Sequence, residues 1–256
     1  MNALKPSLVV VEPGKFGRIA VLGDLHGDYK SLCALLELLD LDGDLLVFLG
    51  DYADRGPKGV EVIRKVAHLR REHPRNVLAL MGNHEDYSDN GEPQFQPCSL
   101  IGEAEAKTGS WNTYFRQELK PFIDSLPLCA LVPNNALLVH GGVSSKIRGI
   151  SDLENPADGL RTDLLWSDPM DGEGEEPNWM REVGVMWGSD VTETVCHGLG
   201  VERLIRSHQP QLAASKPYLA HDGRVVTVNA TSVYGGTPFV YFLDPAAPQK
   251  NSFCNI

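Results

Sequence analysis

The stretch LLVFLGDYADRGPKG, residues 45–59, places two carboxylates and an arginine between glycines, directly after five apolar residues. A continuous apolar run that ends at a turn signal is typical of a strand buried within a parallel sheet. Asp51, Asp54 and Arg55 follow this predicted strand, although a surface turn needs only one such residue. The stretch therefore predicts a buried strand whose carboxyl end carries a functional loop.

The same order of an apolar run, a turn residue and a ligand-type side chain recurs along the chain. It is found in RIAVLGDLHG (18–27), NVLALMGNHE (76–85), ALLVHGG (136–142) and RLIRSHQP (203–210). Apolar residues at helical spacing separate the first three of the five runs. They are Leu32, Leu35, Leu36 and Leu39, and then Val62, Val66 and Leu69 after Pro57. Strands that alternate with helices in this way predict parallel pairing with right-handed crossovers.

Parallel strands share one carboxyl edge, and open α/β sheets bind ligands beyond that edge. We therefore expect six side chains to converge there: Asp24, His26, Asp51, Asn83, His140 and His208. Their oxygen and nitrogen atoms, without a thiolate, suit manganese, iron or zinc. Six ligands are too many for one catalytic ion that keeps an open position. The set therefore predicts two divalent ions that share Asp51.

Two metal ions about 3.5–4 Å apart can activate water for in-line displacement, and phosphate ester hydrolysis is a reaction that needs this help. Arg55 suits the phosphoryl oxygens because a guanidinium binds two oxygens at once. His84 suits protonation of the leaving oxygen, and Asp54 could orient that imidazole. Each residue alone is more typical of a turn, a helix cap or a buried histidine. Their co-occurrence at five predicted strand ends favours function.

The composition limits the partners. A formal net charge of −11 argues against nucleic acid or an anionic membrane as the main partner. No apolar run approaches the roughly 20 residues that span a bilayer, and no export leader is recognisable, so we expect a cytoplasmic protein. The cysteines are never in CxxC spacing, which favours small buried hydrophobes over disulfides or zinc ligands. No break in composition divides the chain, which predicts a single α/β domain over residues 1–256.

Four further segments have weaker signals. Residues 111–126 predict a helix that ends before Pro127, and residues 167–178 predict an exposed loop. Its acidic part, residues 168–176, is open to two interpretations, a solvated loop or a docking surface for basic substrates. Residues 224–229 and 239–243 predict strands, with Tyr234 in their connection.

The motifs GDLHG (23–27), GDYADRG (50–56) and GNHE (82–85) resemble, in the same order, the three signatures of the phosphoprotein phosphatase family. These metallophosphoesterases include the serine/threonine protein phosphatases. HGG (140–142), LLWSDP (164–169), REVGVMWG (181–188) and RSHQ (206–209) extend the resemblance. It implies the calcineurin-like fold, a four-layer α/β/β/α sandwich with mixed sheets. The short chain is similar to the bacterial and archaeal branch.

Carried over by position, the resemblance implies a role for each site residue. The first metal would be held by Asp24, His26 and Asp51, and the second by Asp51, Asn83, His140 and His208. Substrate phosphate would be bound by Arg55 and Arg181, with Tyr234 lining the site. His84 and Asp54 would form the general-acid pair.

The resemblance implies a metal-dependent phosphomonoesterase with two divalent ions. Manganese is the first choice for these ions, and iron and zinc are alternatives. Its partners would be phosphorylated proteins or small phosphoesters. The expected mechanism is direct attack by metal-bound hydroxide without a phosphoenzyme. The expected substrates are phosphoserine and phosphothreonine, and activity on phosphotyrosine stays open.

Two alternatives stay open. Related diadenosine tetraphosphate hydrolases, which cleave dinucleoside polyphosphates, typically have Ala in place of Asp54 and Asp in place of Glu85. A binding module that keeps the metals for structure should have lost the acid or an arginine, and this chain has both.

Overall fold

Two β-sheets that lie face to face form the centre of the protein. The structure is a computed structural model that describes residues 7–256, so the first six residues of the predicted domain 1–256 lie outside the described residues. Its strands are β1 Leu8–Val10, β2 Arg18–Leu22, β3 Asp44–Phe48, β4 Val77–Ala79, β5 Cys129–Val132, β6 Ala136–Val139, β7 Asp168–Pro169, β8 Glu175–Pro177, β9 Val185–Trp187, β10 Arg203–Arg206, β11 Tyr218–Ala220, β12 Val225–Thr227, β13 Phe239–Leu243 and β14 Ser252–Asn255.

Helices connect these strands. They are α1 Tyr29–Leu36, α2 Gly59–Glu72, α3 Leu100–Thr108, α4 Trp111–Tyr114, α5 Lys120–Ile123, α6 Ile150–Glu154, α7 Leu160–Trp166 and α8 Ser189–Leu199. A π-helical turn lies at Phe115–Leu119, and short 3₁₀ segments lie at Pro13–Lys15, Asn83–Glu85, His221–Gly223 and Pro248–Lys250. Within residues 7–256, no helix has the length and apolarity that a bilayer crossing requires.

In the described residues the strands form three sheets. Sheet I has the order β1-β5-β6-β10-β12-β11, and sheet II has the order β14-β13-β2-β3-β4. A small sheet III has the order β7-β9-β8. Sheets I and II are mixed, because parallel pairs such as β2–β3 and β6–β10 lie beside antiparallel pairs such as β2–β13 and β5–β6.

The core lies in layers that follow from the alternation of side chains along a strand. Ile19 and Val21 of β2 pack between the sheets, against Leu138 and Val226 of sheet I. The intervening Ala20 belongs to a separate cluster with the apolar faces of α1 and α2. Val191, Val195 and Leu199 of α8 belong to the same outer cluster as sheet I residues Leu137 and Leu204. These layers confirm the expected α/β/β/α sandwich.

The predicted strand–helix–strand alternation is confirmed for β2, β3 and β4, which pair in parallel with α1 and α2 between them. Asp28 caps α1 by accepting a hydrogen bond from Ser31 N at 3.0 Å, as N-cap carboxylates do. The helix ends at Leu36, short of the expected Leu39, which is half-buried beyond it against the core.

The expectation of one shared sheet edge is wrong for the last two motifs. A short turn joins β5 to β6 in antiparallel pairing, and β10 then pairs with β6 in parallel, so both motif strands lie in sheet I. His140 and His208 therefore approach the site from sheet I, whereas the other four expected metal ligands follow strands of sheet II. The convergence depends on two facing sheets rather than on one.

Two local expectations also need correction. The helical segment that begins at Trp111 ends at Ile123 and contains the π-helical turn, which directly precedes the helix containing Pro121; proline lacks the amide hydrogen that a regular α-helix uses there. Residues 167–178 are not one exposed loop, because they contain β7 and β8 and bury Asp168. The burial of that carboxylate is offset by Arg206, 38 residues later, which donates to Asp168 at 2.8 Å.

Candidate active site

Sheets I and II meet at Asp24, which follows β2 and Gly23. Asp24 forms a parallel β-bridge with Asn229, which lies just beyond β12, and its Oδ1 accepts a hydrogen bond from His208 N at 3.0 Å. Gly23 permits this approach, because a Cβ at that position would collide with the Val228 carbonyl. One expected ligand therefore fixes the backbone of another across the two sheets.

A first group of donors consists of Asp24, His26 and Asp51. His26 Nε2 lies 3.7 Å from Asp24 Oδ2 and 3.5 Å from Asp51 Oδ2. His26 Nδ1 lies 2.9 Å from the Ala53 carbonyl; that oxygen accepts only, so Nδ1 carries the proton and Nε2 presents a lone pair. Asp24 Oδ2 is buried without a hydrogen-bond partner among the described residues. Three lone-pair donors thus face one another.

A second group lies around His140. Its Nε2 is 2.8 Å from Asn83 Oδ1, 3.1 Å from His208 Nδ1 and 3.4 Å from Asp51 Oδ1. His140 Nδ1 lies 3.1 Å from the Leu49 carbonyl, which again assigns the proton to Nδ1. Its Nε2 then faces two oxygen acceptors, an arrangement that repels unless a cation lies between them. Asp51 contributes one oxygen to each group.

The chemistry of both groups fits divalent cations. All six side chains are buried. Burial lowers the pKa of His26 to about 4 and that of His140 to about 3, and it lowers the pKa of His208 well below its usual value. The imidazoles are therefore neutral near pH 7, the form that binds a metal. Burial, with Asp24 close by, raises the pKa of Asp51 well above its usual value, and bound cations would reverse that effect.

Several site residues have a strained backbone. His26, Asp51, Asp54, Arg55 and His208 all have left-handed φ angles, between 45° and 68°. Such residues cost about 1–3 kcal/mol each and cluster at functional sites. Here the surrounding backbone holds them: the N–H groups of Leu25 and His26 both donate to the Asp51 carbonyl, at 3.0 and 2.8 Å.

His84 and Asp54 form a buried pair beside the expected metal ligands. His84 Nδ1 lies 2.8 Å from Asp54 Oδ2, and the backbone N–H groups of Ser99 and Leu100 donate to Asp54 Oδ1 at 2.6 and 2.8 Å. Burial opposes ionisation, but the bonds from His84 and from the two backbone groups lower the pKa of Asp54 below its usual value. Phe95 packs against His84 with ring centroids 4.5 Å apart. The pair is thus fixed, with His84 Nε2 left for another partner.

A cavity of about 140 Å³ opens beside these groups. Eight of the eleven predicted site residues line it: His26, Asp51, Arg55, Asn83, His84, Arg181, His208 and Tyr234. The other three lie directly behind, since Asp24 faces His26, Asp54 binds His84 and His140 contacts Asn83. The structure therefore brings the whole predicted set together, although the role of each residue stays a prediction.

Arg181 reaches the cavity because Asp168 holds it. Arg181 Nε donates to Asp168 Oδ2, and Arg181 Nη2 donates to the His208 carbonyl at 3.3 Å. Arg206 is fully buried and donates to Asp168 Oδ1 at 2.8 Å. On another wall, the Tyr234 ring lies 5.6 Å from the His26 ring, edge to face.

Sequence reasoning missed several residues that support the site. Glu85 is buried and accepts hydrogen bonds from the backbone N–H groups of Asp51, Tyr52 and Gly82, at 2.8, 3.0 and 2.9 Å. Gly82 allows this contact, because a Cβ there would collide with the Asp51 carboxylate. Trp166 lines the cavity with its ring 5.8 Å from that of His208. The signal for Glu85 was its place as the last residue of the motif GNHE (82–85). Trp166 had no signal apart from the resemblance.

Comparisons with known proteins show the family of this chain. The model of the calcineurin-like phosphoesterase family matches residues 17–212, and the chain belongs to that family. A serine/threonine-protein phosphatase of Caenorhabditis elegans is 32% identical over 201 residues, covering 75% of this chain and 43% of the relative. A putative serine/threonine-protein phosphatase of the same organism is 33% identical over 203 residues, covering 75% and 52%. The chain spans about half the length of these relatives.

A solved structure is similar over nearly the whole chain. It is a protein serine/threonine phosphatase from Saccharomyces cerevisiae, described as similar to human phosphatase PP5. The TM-score is 0.82 at 26% identity, covering 98% of this chain and 84% of the yeast chain. The mixed-sheet fold is therefore that of a metallophosphoesterase.

Proposed function

We propose that this chain is a metal-dependent phosphomonoesterase that acts on phosphoserine and phosphothreonine residues of proteins. The observation that carries the proposal is the position of Asp51, whose two oxygens face two separate donor groups beside the His84–Asp54 pair. Two divalent cations bound there would supply a water activated for attack and positive charge for the phosphoryl oxygens. We propose manganese first, with iron and zinc as alternatives that the same donors accept.

The chain's own residues would hold the substrate. Arg55 and Arg181 both line the cavity, and a guanidinium can bind two phosphoryl oxygens at once. Asp168 binds the Nε side of Arg181 and the His208 carbonyl binds Nη2, so we assign Nη1 to the phosphate. Tyr234 would limit the space beside His26.

His84 would act as the general acid. As the ester P–O bond breaks and water adds to phosphorus, the leaving oxygen would take a proton from His84 Nε2. Asp54 would keep the proton on Nδ1 and so leave Nε2 as the atom that exchanges protons with substrate. No covalent phosphoryl-enzyme is part of this scheme.

The choice of substrate has support from the relatives named as serine/threonine-protein phosphatases. The dinucleoside polyphosphate alternative is weaker, because the two residues that distinguish it have specific contacts here. Asp54 binds His84, and Glu85 supports the backbone of Asp51. Phosphotyrosine peptides belong in the same assay as a third substrate class.

Metal removal tests the proposal. After chelation and buffer exchange, we expect hydrolysis of para-nitrophenyl phosphate to be lost, because the buried donors cannot activate water without a cation. Adding Mn²⁺ should restore it, and phosphoserine or phosphothreonine peptides should then be cleaved faster than diadenosine tetraphosphate. Turnover that survives complete metal removal, confirmed by elemental analysis, would contradict the proposal.

A further inference from the structure

Exposed apolar residues lie next in the chain to residues that line the catalytic cavity. Trp179 and Met180 are 75% and 89% exposed, and they directly precede Arg181, which lines the cavity. Two more exposed apolar side chains adjoin lining residues, Leu212 beside Gln211 and Val233 beside Tyr234. Consecutive Cα atoms are about 3.8 Å apart, so the Cα atom of each of these residues lies close to the cavity wall.

Hydrogen bonds of Asn178 stabilise the turn that contains Trp179 and Met180. The Asn178 carbonyl accepts hydrogen bonds from Arg181 N at 3.3 Å and from Glu182 N at 2.9 Å, which closes the turn. Asn178 is buried, and its Nδ2 donates to Asp168 Oδ2 at 3.1 Å, the carboxylate that also holds Arg181. We call residues 178–182 the docking turn. The backbone that carries the two apolar side chains is thus fixed relative to Arg181.

The surroundings of the docking turn are acidic. Four exposed carboxylates precede it and one lies at its end: Asp171, Glu173, Glu175, Glu176 and Glu182. Arg181 is the basic residue within this stretch, and it is turned toward Asp168. A polyphosphate that covered this surface would meet like charge, whereas lysine or arginine side chains would meet opposite charge.

We infer that the docking turn binds the polypeptide segment beside the phosphorylated residue, and that it prefers a segment with an apolar side chain and lysine or arginine. A large apolar pair on a fixed turn is typical of an interaction site, and tryptophan is enriched among the residues that carry binding energy. The inference depends on the proposed phosphatase activity and deepens it by naming the substrate class. That class is a phosphorylated polypeptide with apolar and basic flanks, rather than a free phosphoester or a dinucleoside polyphosphate.

Two phosphoserine peptides of equal length test the inference, one with leucine and arginine on both sides of the phosphoserine and one with alanine. We expect the full chain, loaded with Mn²⁺, to prefer the leucine–arginine peptide in kcat/KM. In Trp179→Ala/Met180→Ala that preference should fall about 10-fold or more, the usual effect of losing apolar side chains that become buried on binding. The loss should exceed any loss on para-nitrophenyl phosphate, which has no flanking residues. With two further peptides, one that has only leucine and one that has only arginine beside the phosphoserine, Glu176→Gln/Glu182→Gln should reduce the preference for arginine over alanine without removing that for leucine.

The matched control is Leu219→Ala, which removes an apolar side chain that is 59% exposed on β11 and should leave the peptide preference unchanged. If the double variant keeps the wild-type preference while peptides are still cleaved, the inference is wrong and the proposed function stands. If the double variant instead loses diadenosine tetraphosphate hydrolysis more than peptide hydrolysis, the turn binds a base and the inference is also wrong. If the wild-type protein cleaves no phosphoester with metal bound, both the inference and the proposed function fail.

Discussion

The Asp51→Asn variant is expected to lose its bound divalent cations while keeping its fold. Asp51 directs one oxygen to His26 and the other to His140, and it is buried. An amide of the same size has no negative charge to offset two cations, and its NH₂ group cannot donate a lone pair. Loss of a residue that only supports a metal ligand costs roughly 10–100-fold in affinity, so loss of a shared ligand should cost more. Elemental analysis after gel filtration measures the metal per chain.

Asp44→Asn is the matched control, because Asp44 is a buried aspartate at the opposite end of β3. Its carboxylate accepts from Arg18 Nε and Nη2 at 3.0 and 2.7 Å, far from the site in the strand. The control variant should lose stability through that ion pair and keep its metal. If Asp51→Asn retained two equivalents of metal per chain, Asp51 would not be a shared ligand.

The His84→Asn variant should keep its metal and lose turnover. A positioned general acid typically contributes about 10²–10⁴-fold to rate, so kcat should fall by that factor. The loss should be larger for phosphoserine peptides than for para-nitrophenyl phosphate, because nitrophenolate leaves readily without a proton and an alkoxide does not. Measuring kcat for both substrates, together with metal content, separates proton transfer from a structural defect.

His197→Asn provides the control for His84, since His197 is an exposed histidine on α8 and its loss should change neither rate nor metal content. Equal losses for both leaving groups would argue against an acid at His84. If His84→Asn stripped the metals while Asp51→Asn kept them, the two residues would have each other's proposed roles.

The sequence predicted which side chains lie together better than it predicted which strands pair. Each expected ligand follows an apolar run, because a buried strand must end before a polar side chain can reach the sheet edge. That local rule holds for β2 and β3, and for β6 and β10 as well. It does not say which strands pair, since long-range contacts decide this, and so the sequence did not show that the strands before His140 and His208 belong to sheet I.

Local sequence patterns also could not predict the roles of residues whose partners are distant in the sequence. The sequence predicts Asp168 as part of an acidic loop. In the structure, Arg206 holds Asp168 in place, and Asp168 in turn binds Arg181 and determines where it lies. Nothing in the periodicity of residues 167–178 shows that a buried guanidinium from β10 will meet that carboxylate. The same holds for Glu85, whose three backbone contacts require the fold to bring residues 51 and 82 together.

Anomalous diffraction from crystals grown with Mn²⁺ tests the account most directly. Two peaks are expected about 3.5–4 Å apart, both within bonding distance of Asp51. One should lie beside Asp24 and His26, and the other beside Asn83, His140 and His208. A single peak enclosed by these residues, or two peaks of which neither touches Asp51, would contradict the account.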